Sequence, residues 1–83
     1  MKKLKLGQII KIDWVDQSYY SGPERLPDVT QVAYGSSVGW FLEENKNWLT
    51  IASERFTTDM IAYRHITTFP KRCIDKIEII RNL

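Results

Sequence analysis

Apolar and polar residues alternate along most of this chain with a period of two. Near the N-terminus, Ile10, Ile12 and Trp14 occupy every second position, and charged residues fill the positions between them. Successive side chains of an extended strand point to opposite faces, so this alternation is typical of a strand with one buried face. The pattern predicts a first strand whose isoleucine and tryptophan side chains face a core.

Two further alternating segments, residues 38–43 and 48–52, flank the polar residues 45–47. Asparagine at 45 and 47 tolerates left-handed backbone angles and caps its own turn, so these residues predict a tight turn between antiparallel strands. Gly39 lies inside the first segment, where a glycine is typical of a bend or bulge. Residues 38–52 are therefore predicted to form a β-hairpin.

The parity of the aromatic residues indicates which face of this hairpin is buried. Trp40 shares its parity with Val38 and Leu42, so we expect these three to face the core. Phe41 and Trp48 then point outward. Two exposed aromatic side chains would form an apolar patch of the kind that marks a partner interface. The alternative is a second, smaller cluster beneath the long loop.

The C-terminal third of the chain predicts two more strands. Residues 61–69 are rich in Thr, Ile, Tyr and Phe, and Pro70 ends the strand because it lacks a backbone donor. Residues 71–74 are too few for an α-helix and suit a single 3₁₀ turn. Ile77 and Ile79 then alternate with charged residues in a last strand.

These elements predict an all-β fold in one domain that spans residues 1–83. A long loop, residues 16–31, follows the first strand and contains two prolines among polar residues. Five short strands without a helix hide their edges by curling into a barrel. We therefore expect a small five-stranded barrel of the Src-homology-3-like or Sm-like type, in which the first and last strands are neighbours.

Charge is distributed unevenly along the chain, whose net charge is +2. Residues 1–12 carry four lysines and no acid, and residues 71–83 carry four bases, including Lys71 and Arg72, against two acids. The middle of the chain is acidic. In the predicted barrel the two basic ends lie side by side. Such a surface binds nucleic-acid phosphates, or its lysines block aggregation at the sheet edges.

Residues able to support catalysis are few. The chain has one histidine, His65, and one cysteine, Cys73, and no motif joins either to a catalytic partner. The same count leaves too few ligands for a metal ion. We therefore predict a protein that is not an enzyme and has no metal or cofactor. A lone cysteine and the lack of any run of ~20 apolar residues predict a cytoplasmic protein without a membrane partner.

The long loop carries Tyr19 and Tyr20 beside turn residues. A loop of this length in so small a domain is often functional, and tyrosine offers a rigid amphipathic contact surface. Either the two tyrosines contact a ligand or they fold back over the open end of the barrel. In an oligomer they could stack on a base while Arg64 or Arg72 holds its phosphates.

Three stretches of the chain resemble a group of short, uncharacterised bacterial and phage proteins. They are IDWVD at 12–16, SVGWFLEE at 37–44 with LTIAS at 49–53, and TTFPKRCI at 67–74. Proteins of this group have a similar length, with the long variable loop in the same place. The resemblance covers nearly the whole chain and implies a small barrel and a phage or prophage setting. It implies no activity.

A weaker resemblance is to Hfq, the bacterial Sm-like family, whose last two strands are joined by a Tyr-Lys-His-Ala-Ile-Ser run. Tyr63-Arg64-His65-Ile66 matches that run by residue type, and residues 71–75 match it by position before the last strand. In that family the basic residue and the histidine contact RNA at the pore of a ring. The resemblance implies RNA binding through one of these two stretches, but not through both.

The sequence supports three functional hypotheses. The first is a non-enzymatic binding module that self-associates into a homo-oligomer, because so small a domain has a thin core and a surplus of aromatic residues. The second is an RNA- or DNA-binding protein. The third is a phage protein that blocks a host defence component or sequesters a nucleotide signal. The residues predicted to contact a ligand or partner are Tyr19, Tyr20, Phe41, Trp48, Arg64, Lys71 and Arg72.

Overall fold

The structure, a computed structural model, describes residues 3–16 and 33–82. The elements in these residues are β1 (Ile9–Asp16), β2 (Ala33–Glu44), β3 (Trp48–Phe56), β4 (Ala62–Pro70), a 3₁₀ turn (Lys71–Cys73) and β5 (Ile74–Arg81). Within this part of the chain, the predicted all-β architecture of five strands with one 3₁₀ turn before the last strand is confirmed. No helix in the described residues is long and apolar enough to cross a membrane.

The five strands form one antiparallel sheet in the order β4-β3-β2-β1-β5. The first and last strands are therefore neighbours, as predicted. In the described residues β4 and β5 are the two edges of the sheet, and no hydrogen-bonded ladder joins them. The sheet is thus open rather than closed on itself.

One face of the sheet carries the core. Its buried apolar side chains come from β1, β2 and β3 and are Ile10, Ile12, Phe41, Leu49 and Ile51. Partly buried side chains pack around them, namely Leu4, Trp14, Phe69, Ile74 and Ile79. Directly opposed residues of paired strands share a face, which explains why Ile79, opposite Ile10, and Phe69, opposite Leu49, also pack inward. The predicted inward face of β1 is confirmed.

The buried face of β2 is the opposite of the predicted one. Phe41 is 5% exposed and lies in the core, whereas Val38 is 54% exposed. Trp40 is only half-buried and lies opposite Ile9 of β1, on the other face of the sheet. The prediction of Trp40 in the core and Phe41 at the surface is therefore wrong, and Phe41 is not available as a ligand contact.

Trp14 explains why this face of β2 is buried. The core side of β2 carries small residues, Gly35, Ser37 and Gly39, opposite the inward positions of β1. The Trp14 indole lies so close to Gly35 that an added Cβ would collide with the ring, and its Nε1–H donates a hydrogen bond to Ser37 Oγ at 3.0 Å. Small residues face inward here because a ring from the neighbouring strand fills the space in front of them.

Gly39 permits a close approach between two strands. A Cβ at Gly39 would lie 2.5 Å from the carbonyl oxygen of Ala52 on β3, so a larger residue would push the strands apart. The irregularity in the β2–β3 ladder lies further along, between Phe41 and Glu43. The predicted bulge therefore occurs in β2, but it lies C-terminal to Gly39 rather than at the glycine.

The two ends of the described chain are joined by a buried amide. Gln8, which is 5% exposed, accepts a hydrogen bond from the Lys5 N–H at 2.7 Å and donates one to Asn82 Oδ1 at 2.6 Å. A buried amide needs such partners because an unpaired one costs free energy. These bonds fix the segment before β1 against the end of β5.

The pairing of β1 with β5 places the two chain ends side by side, and acidic residues alternate with basic ones along this pair of strands. Lys11 is directly opposite Glu78, and Asp13 is directly opposite Lys76. Among the described residues no ion pair within 4.0 Å joins β1 to β5, and Lys11 Nζ instead lies 3.9 Å from Asp13 Oδ1 on its own strand. Acidic side chains thus lie among the lysines along these two strands.

Candidate functional site

An open groove of about 490 Å³ lies where the β2–β3 turn meets the 3₁₀ turn. Its walls combine an aromatic ring, a proline, an amide and three cations. The lining residues are Lys46, Asn47, Trp48, Pro70, Lys71 and Arg72. Three of the residues predicted to contact a ligand, Trp48, Lys71 and Arg72, therefore meet in one place.

The β2–β3 turn is held by the side chain of Asn45. Its Oδ1 accepts hydrogen bonds from the backbone N–H groups of Asn47 and Trp48, both at 2.9 Å. Its backbone N–H donates to the Trp48 carbonyl at 2.9 Å and closes the hairpin. The predicted turn is confirmed, and these bonds fix the backbone from which Trp48 projects.

The 3₁₀ turn is attached to the same hairpin. The Lys71 N–H donates to the Asn47 carbonyl at 2.8 Å, and Pro70 is directly opposite Trp48 in the β3–β4 ladder. Proline can occupy this last strand position because a ladder donor is no longer needed there. The chain then turns, so that Lys71 and Arg72 follow immediately beside the tryptophan.

Trp48 presents part of its ring to solvent. The residue is 46% exposed, whereas the next residue, Leu49, is fully buried in the core. Because successive strand residues point to opposite faces, burial of Leu49 directs Trp48 to the face away from the core. The predicted outward position of Trp48 is confirmed.

The groove carries an excess of positive charge. Lys71 Nζ lies 2.7 Å from Glu44 Oε1, in an ion pair that is partly shielded from solvent. In residues 3–16 and 33–82, no carboxylate oxygen lies within 4.0 Å of the cationic groups of Lys46 or Arg72. Three cations therefore face one acid, and two of the cations project toward solvent.

This combination of groups suits a ligand with both flat rings and negative charge. An exposed indole offers a surface on which a base or another planar group can stack. Lysine and arginine side chains neutralise phosphate, and arginine can also form paired hydrogen bonds with it. The described lining residues of the groove include no serine, cysteine or histidine, so they offer contacts for binding such a ligand.

Arg64 is not part of this groove. It lies on β4, where its Nη2 and Nε atoms are 2.6 and 2.8 Å from Glu54 Oε1. Its guanidinium carbon is 4.4 Å from the centre of the Phe56 ring. Its charge is thus already compensated by a carboxylate. The other two predicted contact residues, Tyr19 and Tyr20, lie outside the described residues.

His65 and Cys73 are separate from each other and from the groove lining. His65 has a left-handed backbone angle, φ 57°, in the middle of edge strand β4, and its Nε2 lies 3.4 Å from Glu54 Oε1. Cys73 is half-buried at the end of the 3₁₀ turn. Among the residues that the structure describes, no three His, Cys, Asp or Glu side chains are grouped closely enough to hold a metal ion.

The sequence did not predict that Lys46, Asn47 and Pro70 belong to the site. They lie in two turns that are distant in sequence, and each turn was predicted separately. The signal that connects them is strand pairing: the start of β3 pairs with the end of β4, so the residues at these two ends are neighbours.

No family model matches this chain, and no significant match was found among curated proteins or solved structures. The resemblance to short phage proteins and to the Hfq family therefore stays a prediction.

Proposed function

We propose that this protein is a non-enzymatic binding module whose groove binds single-stranded nucleic acid. The observation that carries the proposal is the exposed Trp48 ring in one groove with Lys46 and Arg72, which have no acidic partner among the described residues, and with Lys71, which is paired with Glu44. A base of any sequence can stack on an aromatic ring, which contributes about 1–3 kcal/mol per base. The cations neutralise the phosphates that flank the stacked base, so both parts of a nucleotide have a partner.

The rigidity of the groove supports this proposal. Asn45 fixes the hairpin turn, and the hydrogen bond from Lys71 to the Asn47 carbonyl fixes the 3₁₀ turn against it. The ion pair with Glu44 also holds the Lys71 ammonium at the wall of the groove. A site whose groups are already in place loses less conformational entropy on binding.

Substitution of the stacking residue tests the proposal. We expect Trp48→Ala to weaken the binding of a fluorescent oligothymidylate by about tenfold or more at low salt, because a stacked base is lost. Fluorescence anisotropy measures the dissociation constant. Tyr34→Ala is the matched control, since Tyr34 is an exposed aromatic residue on β2 that does not line the groove. Equal affinities for wild type and both variants would contradict the proposal.

Salt dependence tests the role of the cations. Each phosphate neutralised by the protein contributes about −0.7 to the slope of log K against log salt for a single strand. Arg72→Gln and Lys46→Gln should each make the slope shallower, whereas Lys5→Gln, outside the groove, should not. A free nucleotide that competes as well as an oligonucleotide would instead favour sequestration of a nucleotide signal.

A second proposal is that the protein forms a homo-oligomer through its sheet edges. In the described sheet β4 and β5 have unpaired edges, and Ile66 on β4 and Ile80 on β5 are exposed. Unpaired edges with apolar side chains are templates for pairing with another copy. Light scattering coupled to size exclusion should give an oligomer that Ile80→Lys disrupts and Met60→Lys, in the β3–β4 loop, does not. A wild-type monomer at micromolar concentration would refute this.

The alternative to pairing between copies is that the two edges pair within one copy, because the strand order is also that of a small barrel of the Src-homology-3-like or Sm-like type. β1 is central between β2 and β5, and the 3₁₀ turn redirects the chain from β4 on one edge to β5 on the other. Slow amide exchange along the outer edges of both β4 and β5 at concentrations where the protein is monomeric would favour closure. Fast exchange along both edges would favour the open sheet.

A further inference from the structure

A second cavity, here called the Trp40 pocket, lies where β1 begins and β5 ends. Its volume is about 230 Å³. It contains two arginines beside an indole, and its lining residues are Gly7, Ile9, Trp40, Arg55, Arg81 and Asn82. None of these residues lines the Trp48 groove. Asn82 is held in place by the buried amide of Gln8, so this end of the pocket is fixed.

The two arginines of the Trp40 pocket have no acidic partner in the part of the chain that the structure describes. No carboxylate oxygen there lies within 4.0 Å of Arg55 or Arg81. The Arg55 guanidinium carbon lies 5.1 Å from the centre of the Trp40 ring. Stacking engages the flat face of a guanidinium and leaves its N–H donors free in the plane, which is the arrangement that holds a phosphate.

The Trp40 pocket and the Trp48 groove lie on the same face of the sheet. Trp48 and Ala52 are four residues apart on β3 and therefore share a face, and Ala52 is directly opposite Trp40 on β2. Ile9 and then Arg81 continue the same row across β1 and β5. This face is opposite the core, which contains Leu49 and Ile51 from the intervening positions of β3.

The spacing of the two sites fits an extended ligand. Four residues of a strand span about 13 Å, and β2 lies about 4.8 Å to the side of β3. The surface between the sites is polar: Thr50 and Thr68 hydroxyls lie 3.0 Å apart, and Glu43 is directly opposite Thr50. A carboxylate at this position repels any phosphate that passes over it, so the contacts between phosphates and cations are expected at the two ends of the bound strand.

We infer that the Trp40 pocket is a second phosphate-binding site, and that one nucleic-acid strand spans from the Trp48 groove to Arg55 and Arg81. This inference rests on the proposed function, because one of the two contacts of the nucleic-acid strand is the stacking of a base on Trp48. It extends that proposal by defining the ligand as a strand of several nucleotides rather than a free nucleotide. Two anchors on one rigid face raise affinity because the second contact becomes intramolecular.

A length series of oligothymidylates tests the inference. The variants are Arg55→Gln/Arg81→Gln, which removes two charges from the Trp40 pocket, and Lys5→Gln/Lys76→Gln, which removes two exposed charges outside both sites. Anisotropy gives the affinity for each length and the salt slope for each variant. Inorganic pyrophosphate is titrated with intrinsic tryptophan fluorescence as the readout, and the difference between wild type and the Arg55→Gln/Arg81→Gln variant reports on the pocket without a nucleic-acid strand.

We expect wild-type affinity to rise with length until the strand reaches the second site. The Arg55→Gln/Arg81→Gln variant should bind a dinucleotide as wild type does, lose the gain for longer strands, and show a salt slope shallower by about 0.7 for each lost phosphate contact. The lysine control should keep the gain. If the arginine variant matches the lysine control at every length, the inference is wrong although the Trp48 groove stands. If wild type binds pyrophosphate but no oligonucleotide, both the inference and the proposed function are wrong.

Discussion

At the scale of single residues, Trp14 determines which side of its neighbouring strand is buried. Its ring packs over Gly35, and its indole N–H is satisfied by Ser37. A buried indole needs an acceptor as well as space, and β2 supplies both through residues that have little or no side chain. The larger side chains of β2, including Val38, are left to face solvent.

Gly35→Ala should therefore destabilise the fold. An added Cβ would collide with Cζ2 of Trp14, so the ring or the strand must move, and overpacking of this kind typically costs about 1–3 kcal/mol. Urea denaturation followed by circular dichroism measures the change. Ser36→Ala, at the neighbouring position on the opposite face, is the control and should lose less, because it removes only an exposed hydrogen bond from Ser36 Oγ to Asp13 Oδ1 at 2.6 Å. An unchanged urea midpoint for Gly35→Ala would show that the indole does not occupy this position.

The local pattern of the sequence was sufficient for the strands but not for every buried face. Ile10 and Ile12 alternate with charged residues, so the inward face of β1 followed from periodicity alone. In β2 both faces carry apolar residues, and the deciding fact is the position of a ring that belongs to β1. Such a contact depends on strand register, which the sequence of β2 does not contain, and Phe41 was therefore assigned to the wrong face.

At the scale of elements, two turns create the candidate site. The β2–β3 turn supplies Lys46 and Trp48, and the 3₁₀ turn supplies Lys71 and Arg72. Each turn was predictable from its own residues, since the turn asparagines and Pro70 are local signals. Their proximity was not, because it follows from the pairing of β3 with β4 and from the hydrogen bond that joins the turns.

Asn45→Ala should loosen the first of these turns. The substitution removes the oxygen that accepts two backbone hydrogen bonds, so we expect a loss of about 1–2 kcal/mol in the free energy of unfolding. It should also weaken oligonucleotide binding, because Trp48 is then less well positioned. Urea denaturation and anisotropy measure the two effects.

Asn45→Asp is the matched variant for this turn. It keeps an oxygen at the same place, so the hydrogen bonds and most of the stability should be retained. If Asn45→Asp and Asn45→Ala lose the same stability, the side-chain oxygen does not hold the turn. If Asn45→Ala is destabilised but binds an oligonucleotide as wild type does, the order of the turn does not contribute to the groove.

At the scale of the whole molecule, the residues that form the core and the residues of the two proposed binding sites lie on opposite faces of the sheet. One face buries the apolar core, and the other carries the Trp48 groove and the Trp40 pocket. The linear distribution of charge predicted that basic chain ends would form the binding surface. Lys71 and Arg72 of the basic C-terminal segment do line the groove, and its third cation, Lys46, comes from the β2–β3 turn in the acidic middle of the chain.

Glu43 provides a test of how this whole face interacts with a strand. Its exposed carboxylate is directly opposite Thr50, between the two proposed phosphate sites, and it repels a polyanion that crosses the face. Removing one charge about 7–10 Å from a phosphate in water changes its energy by about 0.5 kcal/mol, so Glu43→Gln should tighten oligonucleotide binding about twofold at low salt. Asp59→Asn changes the net charge equally but lies in the β3–β4 loop, so it should give a smaller gain. Equal gains in both variants would mean that net charge alone attracts the oligonucleotide. No gain from Glu43→Gln would mean that the oligonucleotide does not cross this face.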